Sequence, residues 1–496
     1  MEALINGHDS FLPLGMKHAP LQKVFPQGTR KDETFDIQSV NSNAWRTLEL
    51  NRKRRLSHWF LFALMGLVTG FIAFSMERLT QFLVDLRHNM TQAYLENGSP
   101  LVLGWAVFSL YSTFLVGISV TISLYYGPGA IGSGVAETMG VVNGVNYWEF
   151  LGVNTLVTKI VGVVFAVAGG LRVGKEGPLA HIGSLVGVAC LYIPWGLSKP
   201  FRNDRDKRDF IAAGAGVGCA VAFGAPIGGV LYAYEVSKAN TFWTFSLAWQ
   251  TFLATSLANF TLTFCNALTS GNFTNVTNAG LIRLGEISKN NNYNLADVFV
   301  FIFIGILGGL FGALFNEINI RLAKLRIKHL KTKIAKYFEA ILFAFVGSTI
   351  IFYLPALFPC TEFPLDTEIG TRYQCPEDQV NEMATLLFNT EGDTLKYLLK
   401  AANNSDFMVA LTFLLVWFFF TATTYGVSVP SGLFFPGLLI GASLGEFVGR
   451  FLLLAGLLQE SDMHDLTTYA IVGGVAILAG YCRLSFCLSV LMMETT

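Results

Sequence analysis

Gly174-Lys175-Glu176-Gly177-Pro178 lies between two long apolar stretches, and its glycine–proline frame returns as Gly432-Leu433-Phe434-Phe435-Pro436. The shared positions continue through Ile182, Gly183 and Gly187 after the first copy, and through Ile440, Gly441 and Gly445 after the second. All sit at one offset (432 − 174 = 258). Each copy reads as a helix start: a glycine turn, a proline tolerated in the first helical turn, then an apolar helix. The first N–H groups of such a helix lack intrahelical acceptors and carry the positive end of its dipole. Two such ends deep in a membrane would replace the water shell of an anion.

Composition supplies the membrane. The 496 residues are 52% hydrophobic and 14% aromatic, and only 14% are charged, against roughly 25% in soluble domains. With a mean hydropathy of +0.50, the chain reads as a polytopic membrane protein whose first partner is the lipid bilayer. Thirty-four basic residues balance 34 acidic ones, which gives no sign of a nucleic-acid partner. The first 50 residues are polar and carry no secretory signal. Residues 1–56 are therefore expected to form a cytoplasmic tail, and 57–496 a membrane domain.

Apolar runs long enough to enter a bilayer cover 57–76, 101–126, 152–171, 178–196, 210–235, 242–266, 296–320, 336–358, 407–425, 431–456 and 468–493. Three basic clusters mark cytoplasmic loops: Arg52 to Arg55, Lys199 to Arg208, and Arg321 to Lys336. Sequons at Asn272, Asn275 and Asn403 point to the opposite side. Cys360 and Cys375 share a polar loop there, Pro359 to Asp406, and are either a disulfide in an oxidising compartment or two free thiols. The other five cysteines lie in apolar runs and read as small buried side chains. This orientation has a parity problem, because two apolar runs separate an inner loop (197–209) from an outer one (267–295). One run must be broken, and Gly224-Ala225-Pro226-Ile227-Gly228-Gly229 is the expected place.

Glu176 is the sharpest single residue. A carboxylate inside an apolar run marks an ion or proton path, and at a helix N-terminus it competes with an anion for the same site. That makes it a gate, set against the plainer reading of a capping glutamate. Lys175 adds positive potential to the entrance or snorkels to water. Ser133, in Gly132-Ser133-Gly134-Val135, offers a hydroxyl on a backbone that an ion can approach closely. Glu235 caps, pairs or carries protons. Arg172 and Arg483 read as interfacial or paired charges, and His181 as a packed helix residue. Metalloprotease, nucleotide-loop and serine-hydrolase motifs are missing, so no enzyme, cofactor or metal is expected.

Three ordered motifs make the chain resemble the CLC family of chloride channels and chloride/proton exchangers, from about residue 57 onward. Gly132-Ser133-Gly134-Val135-Ala136 resembles the family's G-S-G-I-P, Gly174 to Pro178 its G-[KR]-E-G-P, and Gly432 to Pro436 its G-x-F-x-P. The resemblance implies an all-α fold of inverted repeats with tilted and broken helices, paired as a homodimer, with chloride as the transported ion. It implies chloride binding by the Ser133 hydroxyl and by amides of Leu433, Phe434 and Phe435, an outer site at the amides of Lys175 to Gly177, and Glu176 as gate. Two departures bear on this. Ala136 replaces a proline, which should loosen that helix start. Exchangers of the family carry two glutamates after the broken segment, whereas here the pair is Glu235-Val236. The neutral Val236 at the inner proton position favours a channel; the alternative is an exchanger. Stretches at Asn203 to Phe210 and Asn381 to Asn389 resemble the intracellular endosomal and lysosomal branch, which places the chain in such a membrane. The resemblance also implies two further helices, an anion-binding tyrosine and often CBS domains after Thr496, so the chain reads as incomplete at its C-terminal end.

Overall fold

Glycines at fixed positions let the central helices approach backbone to backbone, and this sets the architecture. The computed structural model describes residues 48–496 apart from 97–99, 146, 148, 195–197, 238–242, 272–294, 363–369, 372, 377–378, 401–405, 457–465, 485 and 496. Asn272, Asn275, Asn403 and the tail before residue 48 thus lie outside the described residues. The first half comprises α1 (Leu48–Glu96), α2 (Leu101–Tyr125), α3 (Val135–Val142), α4 (Val153–Ala168), α5 (Glu176–Tyr192), α6 (Asp204–Phe223), α7 (Pro226–Val236) and α8 (Phe245–Ser270). The second comprises α9 (Leu295–His329), α10 (Lys333–Tyr353), α11 (Glu382–Phe388), α12 (Glu391–Lys400), α13 (Phe407–Thr424), α14 (Phe434–Leu454), α15 (Leu466–Cys482) and α16 (Phe486–Thr495). Six of these helices are long and apolar enough to cross a membrane.

Helix ends follow local chemistry. The Asn203 side chain accepts from the Asp206 amide to open α6, and Thr244 accepts from Leu247 to open α8. The expected break is present: α6 ends at the left-handed Gly224, and Pro226 starts α7. A second break was not expected. The run 468–493 is two helices, parted at Arg483, whose φ is 56°. Two further corrections concern length. α1 continues well past residue 76, to Glu96, and the loop after Pro359 holds a hairpin and two helices. In that hairpin β1 (Cys360–Glu362) pairs antiparallel with β2 (Gln379–Asn381), Cys360 opposite Asn381. Cys360 and Cys375 are joined as a disulfide, their Cα atoms 5.9 Å apart.

The two halves pack alike. A β-carbon at Gly183 of α5 would collide with the Gly214 carbonyl of α6, and one at Gly441 of α14 with the Gly473 carbonyl of α15. Gly187 meets the Phe210 carbonyl in the same way, and Gly445 that of Tyr469. Small residues are what allow such approach where lipid supplies no hydrophobic drive between helices. The breaks correspond as well, α6 ending at Phe223 and α15 at Cys482 (482 − 223 = 259). Each short helix then caps the other. Glu494 at the end of α16 accepts from the Ile227 and Gly228 amides of α7 at 3.2 and 2.9 Å, and Glu235 of α7 accepts from the Cys487 amide of α16 at 3.2 Å. Of the three roles considered for Glu235, the structure shows the cap. At the periphery, Arg54 of the first basic cluster reaches Asp206 (3.7 Å) and the Pro200 carbonyl (3.5 Å), which joins the first two clusters on one face.

Candidate functional site

The two glycine turns meet. Gly174 N–H donates to the Gly432 carbonyl, and Gly432 N–H to the Gly174 carbonyl, both at 2.8 Å. This reciprocal bridge sets the starts of α5 and α14 against each other. A third turn joins the same patch: Gly132 N–H donates to the Val429 carbonyl (3.0 Å), and Ser431 N–H to that of Gly132 (3.2 Å). Gly132 and Gly134 both sit at positive φ, 77° and 80°, so the flanking glycines are what let the turn present Ser133 here. The helix start is present without proline: α3 begins at Val135 with Gly134 at the N-cap position and no side-chain cap.

Gly177 sits at the meeting point. A β-carbon there would lie 3.2 Å from Ser133 Cβ, 3.2 Å from Gly432 Cα and 3.8 Å from a Phe434 ring carbon. Ser133, Lys175, Glu176, Gly177, Leu433, Phe434 and Phe435 are thus brought into one patch. α5 begins at Glu176 and α14 at Phe434, and neither start has a side-chain cap. The Glu176 carboxyl leans toward the amides of Lys175 and its own residue without a hydrogen bond of ordinary geometry, although the residue is only 1% exposed. Phe434 is 3% exposed, its ring edge-on to Phe223 (6.1 Å) and Tyr232 (6.3 Å). A buried carboxylate without donors is costly, so the arm rests beside the dipole end that best tolerates it. The Ser133 Oγ accepts from Val135 N–H at 3.3 Å and its hydroxyl also meets that of Tyr425.

The remaining candidates resolve differently. The Lys175 ammonium pairs with Glu77 of α1 and lines the cavity at the start of α5. His181 stacks on Phe150 (3.8 Å between ring centres) and its Nε2 lies 3.1 Å from the Phe150 carbonyl, as a packed residue should. Arg172 donates to the Leu387 carbonyl (3.0 Å) and lies 4.2 Å over the Trp417 ring. Val236 is buried at the end of α7, one turn past Tyr232. Residues the sequence did not flag also reach the patch: the Tyr425 hydroxyl meets Ser133, and the Tyr481 hydroxyl donates to the Leu433 carbonyl. The repeat offset offers no signal for either tyrosine. Above Glu176 opens a cavity of about 190 Å³, lined in part by Glu77, Arg172, Lys175, Glu391, Asp393 and Lys396.

A family model described as voltage gated chloride channel matches residues 114–496. "Chloride channel protein C" of Dictyostelium discoideum is 34% identical over 488 residues, covering 92% of this chain and 63% of that protein. The human "H(+)/Cl(-) exchange transporter 7" is 34% identical over 480 residues, covering 92% of this chain and 57% of its own length. The chain thus spans about three fifths of these curated relatives. Among solved structures, a eukaryotic CLC transporter superposes with a TM-score of 0.67 at 21% identity, covering 90% of this chain and 68% of that one. A slow cyanobacterial Cl⁻/H⁺ antiporter superposes at 0.68 with 22% identity, covering 89% of each chain. With matched helix starts, matched breaks and a family model covering most of its length, this multi-pass membrane protein belongs to the CLC family.

Proposed function

We propose that this chain conducts chloride through the patch where α3, α5 and α14 begin, with Glu176 as its gate. One observation carries the reading. The Gly174–Gly432 bridge holds two uncapped helix starts against each other, with the Ser133 hydroxyl between them and a partnerless carboxyl beside them. The Ser133 hydroxyl and the amides of Leu433, Phe434 and Phe435 hold the central ion; the amides of Lys175 and Gly177 hold the outer one. A deprotonated Glu176 occupies the outer position and blocks it. Protonation removes the charge that the dipole holds, the arm leaves, and the ion enters. Flux therefore rises as the pH facing the Glu176 cavity falls. The test is Glu176→Ala: chloride flux in vesicles should become pH-independent, and retained pH dependence would contradict the gate.

Val236 supports a channel, since valine carries no proton at the inner position. The exchanger reading is supported by the name of the human relative. A reversal potential that moves with a proton gradient at fixed chloride indicates exchange; one that stays indicates a channel. We further propose a homodimer in an intracellular membrane, endosomal, lysosomal or vacuolar, with no resident cofactor.

A further inference from the structure

The cavity above Glu176 is lined by charge from three directions. α1 supplies Glu77, Arg78 and Arg87; the segment of chain entering α5 supplies Arg172 and Lys175, with Glu176 at its end; α12 supplies Glu391, Asp393 and Lys396. Most of these charges have partners. Glu77 holds Lys175. Asp393 accepts from Lys396 at 2.8 Å and from the Thr390 hydroxyl at 2.6 Å. Arg78 donates to the Thr269 hydroxyl, Arg87 to the Ala168 carbonyl at 3.2 Å, and Arg172 to the Leu387 carbonyl. Of the four carboxylates in the lining, Glu176 and Glu391 are the two that make no ion pair among the described residues. Both keep a buried oxygen without a donor.

A glutamate in the first turn of α12 gains from that helix's dipole, but this does not explain why its oxygen is left without a donor in the cavity it shares with Glu176. The turn is already capped, because Thr390 Oγ1 accepts from the Asp393 amide at 3.3 Å. We infer that Glu391 is a positioning residue for the gate: across the shared cavity its charge sets the pH at which Glu176 takes a proton and leaves the anion site. Two carboxyl groups lining one cavity resist ionising together, and burial and the Glu176 charge both push Glu391 upward, so whatever charge Glu391 keeps favours the neutral, released form of Glu176. Arg172 and Lys175 line the same cavity, and although each has another partner their charges act on Glu391 as well. This inference rests on the gate reading given above.

The experiment measures chloride self-exchange in vesicles holding the whole chain, with equal pH on both sides, as pH is stepped downward. In Glu391→Gln the neighbouring negative charge is gone, ionised Glu176 is cheaper, and the block persists to lower pH. The midpoint should move about half a pH unit toward acid, roughly a threefold change in proton concentration. Glu391→Thr should move it the same way, and Glu391→Asp should leave it near the original value. In the Glu176→Ala background, Glu391→Gln should change nothing. A purely structural glutamate would instead lower flux at every pH with the midpoint unmoved. An unmoved or alkaline-shifted midpoint in both neutral variants, with Glu176→Ala still abolishing pH dependence, overturns this inference and leaves the gate standing. Persisting pH dependence in Glu176→Ala overturns both.

Discussion

The starts of α5 and α14 share one backbone and differ in three side chains. Lys175, Glu176 and Gly177 on one side face Leu433, Phe434 and Phe435 on the other, between the same glycine and the same proline. The symmetric positions Gly174 and Gly432 bond to each other, so the scaffold treats the two ends alike. The chemistry does not. Glu176 corresponds to Phe434, a titratable arm opposite an aromatic wall. A repeat can thus fix where two dipole ends meet, while, on the proposed reading, a single pair of unmatched side chains decides which end acts as the gate.

That comparison can be broken at the scaffold first. Gly183→Val and Gly441→Val place carbons onto the Gly214 and Gly473 carbonyls. Each should lose on the order of 3 kcal/mol or more, seen as absent or aggregated protein in size exclusion after detergent extraction. A well-folded variant in only one half would show that the repeats are not equivalent in packing. Exchanging the chemistry comes next. Phe434→Glu gives the second start its own carboxyl arm, and flux at neutral pH should fall about tenfold or more, partly returning on acidification. Unchanged flux would mean that the α14 start does not line the ion path. The smallest effect lies at the reciprocal caps. Glu235→Gln and Glu494→Gln should each cost about 1 kcal/mol, visible as similar drops in thermal unfolding midpoint. Strongly unequal drops would show that one of these carboxylates does more than cap.

Much of this was legible in the residues. The helix starts, the Ser133 turn and the Gly224–Pro226 break all use residue types with few alternative explanations, because glycine and proline mark special backbone more sharply than other residues do. The matching break at Arg483 was hidden because Cys482-Arg483-Leu484-Ser485 carries neither residue. Only the repeat offset, carried forward from Phe223, would have found it. The disulfide was one of two open readings, since sharing a loop says nothing about pairing until the fold brings the Cys360 and Cys375 Cα atoms to 5.9 Å. The partner of Lys175 is out of sight for a different reason. Glu77 lies just past the apolar run, 98 residues away along the chain, and no spacing in the sequence says which carboxylate such a lysine will meet. Glu391 was invisible for a similar reason, as nothing in a polar loop reveals which carboxylate will face a buried one.

The central claim is that a bare halide sits between the starts of α3, α5 and α14, with Glu176 as its competitor. Anomalous diffraction from crystals grown in bromide tests it most directly. The account predicts a peak within hydrogen-bonding reach of Ser133 Oγ and the Phe434 amide, and a second peak at the Gly177 amide when Glu176 is replaced by Gln. Bromide elsewhere in the protein with none at this patch, or no second peak in Glu176→Gln, would contradict it.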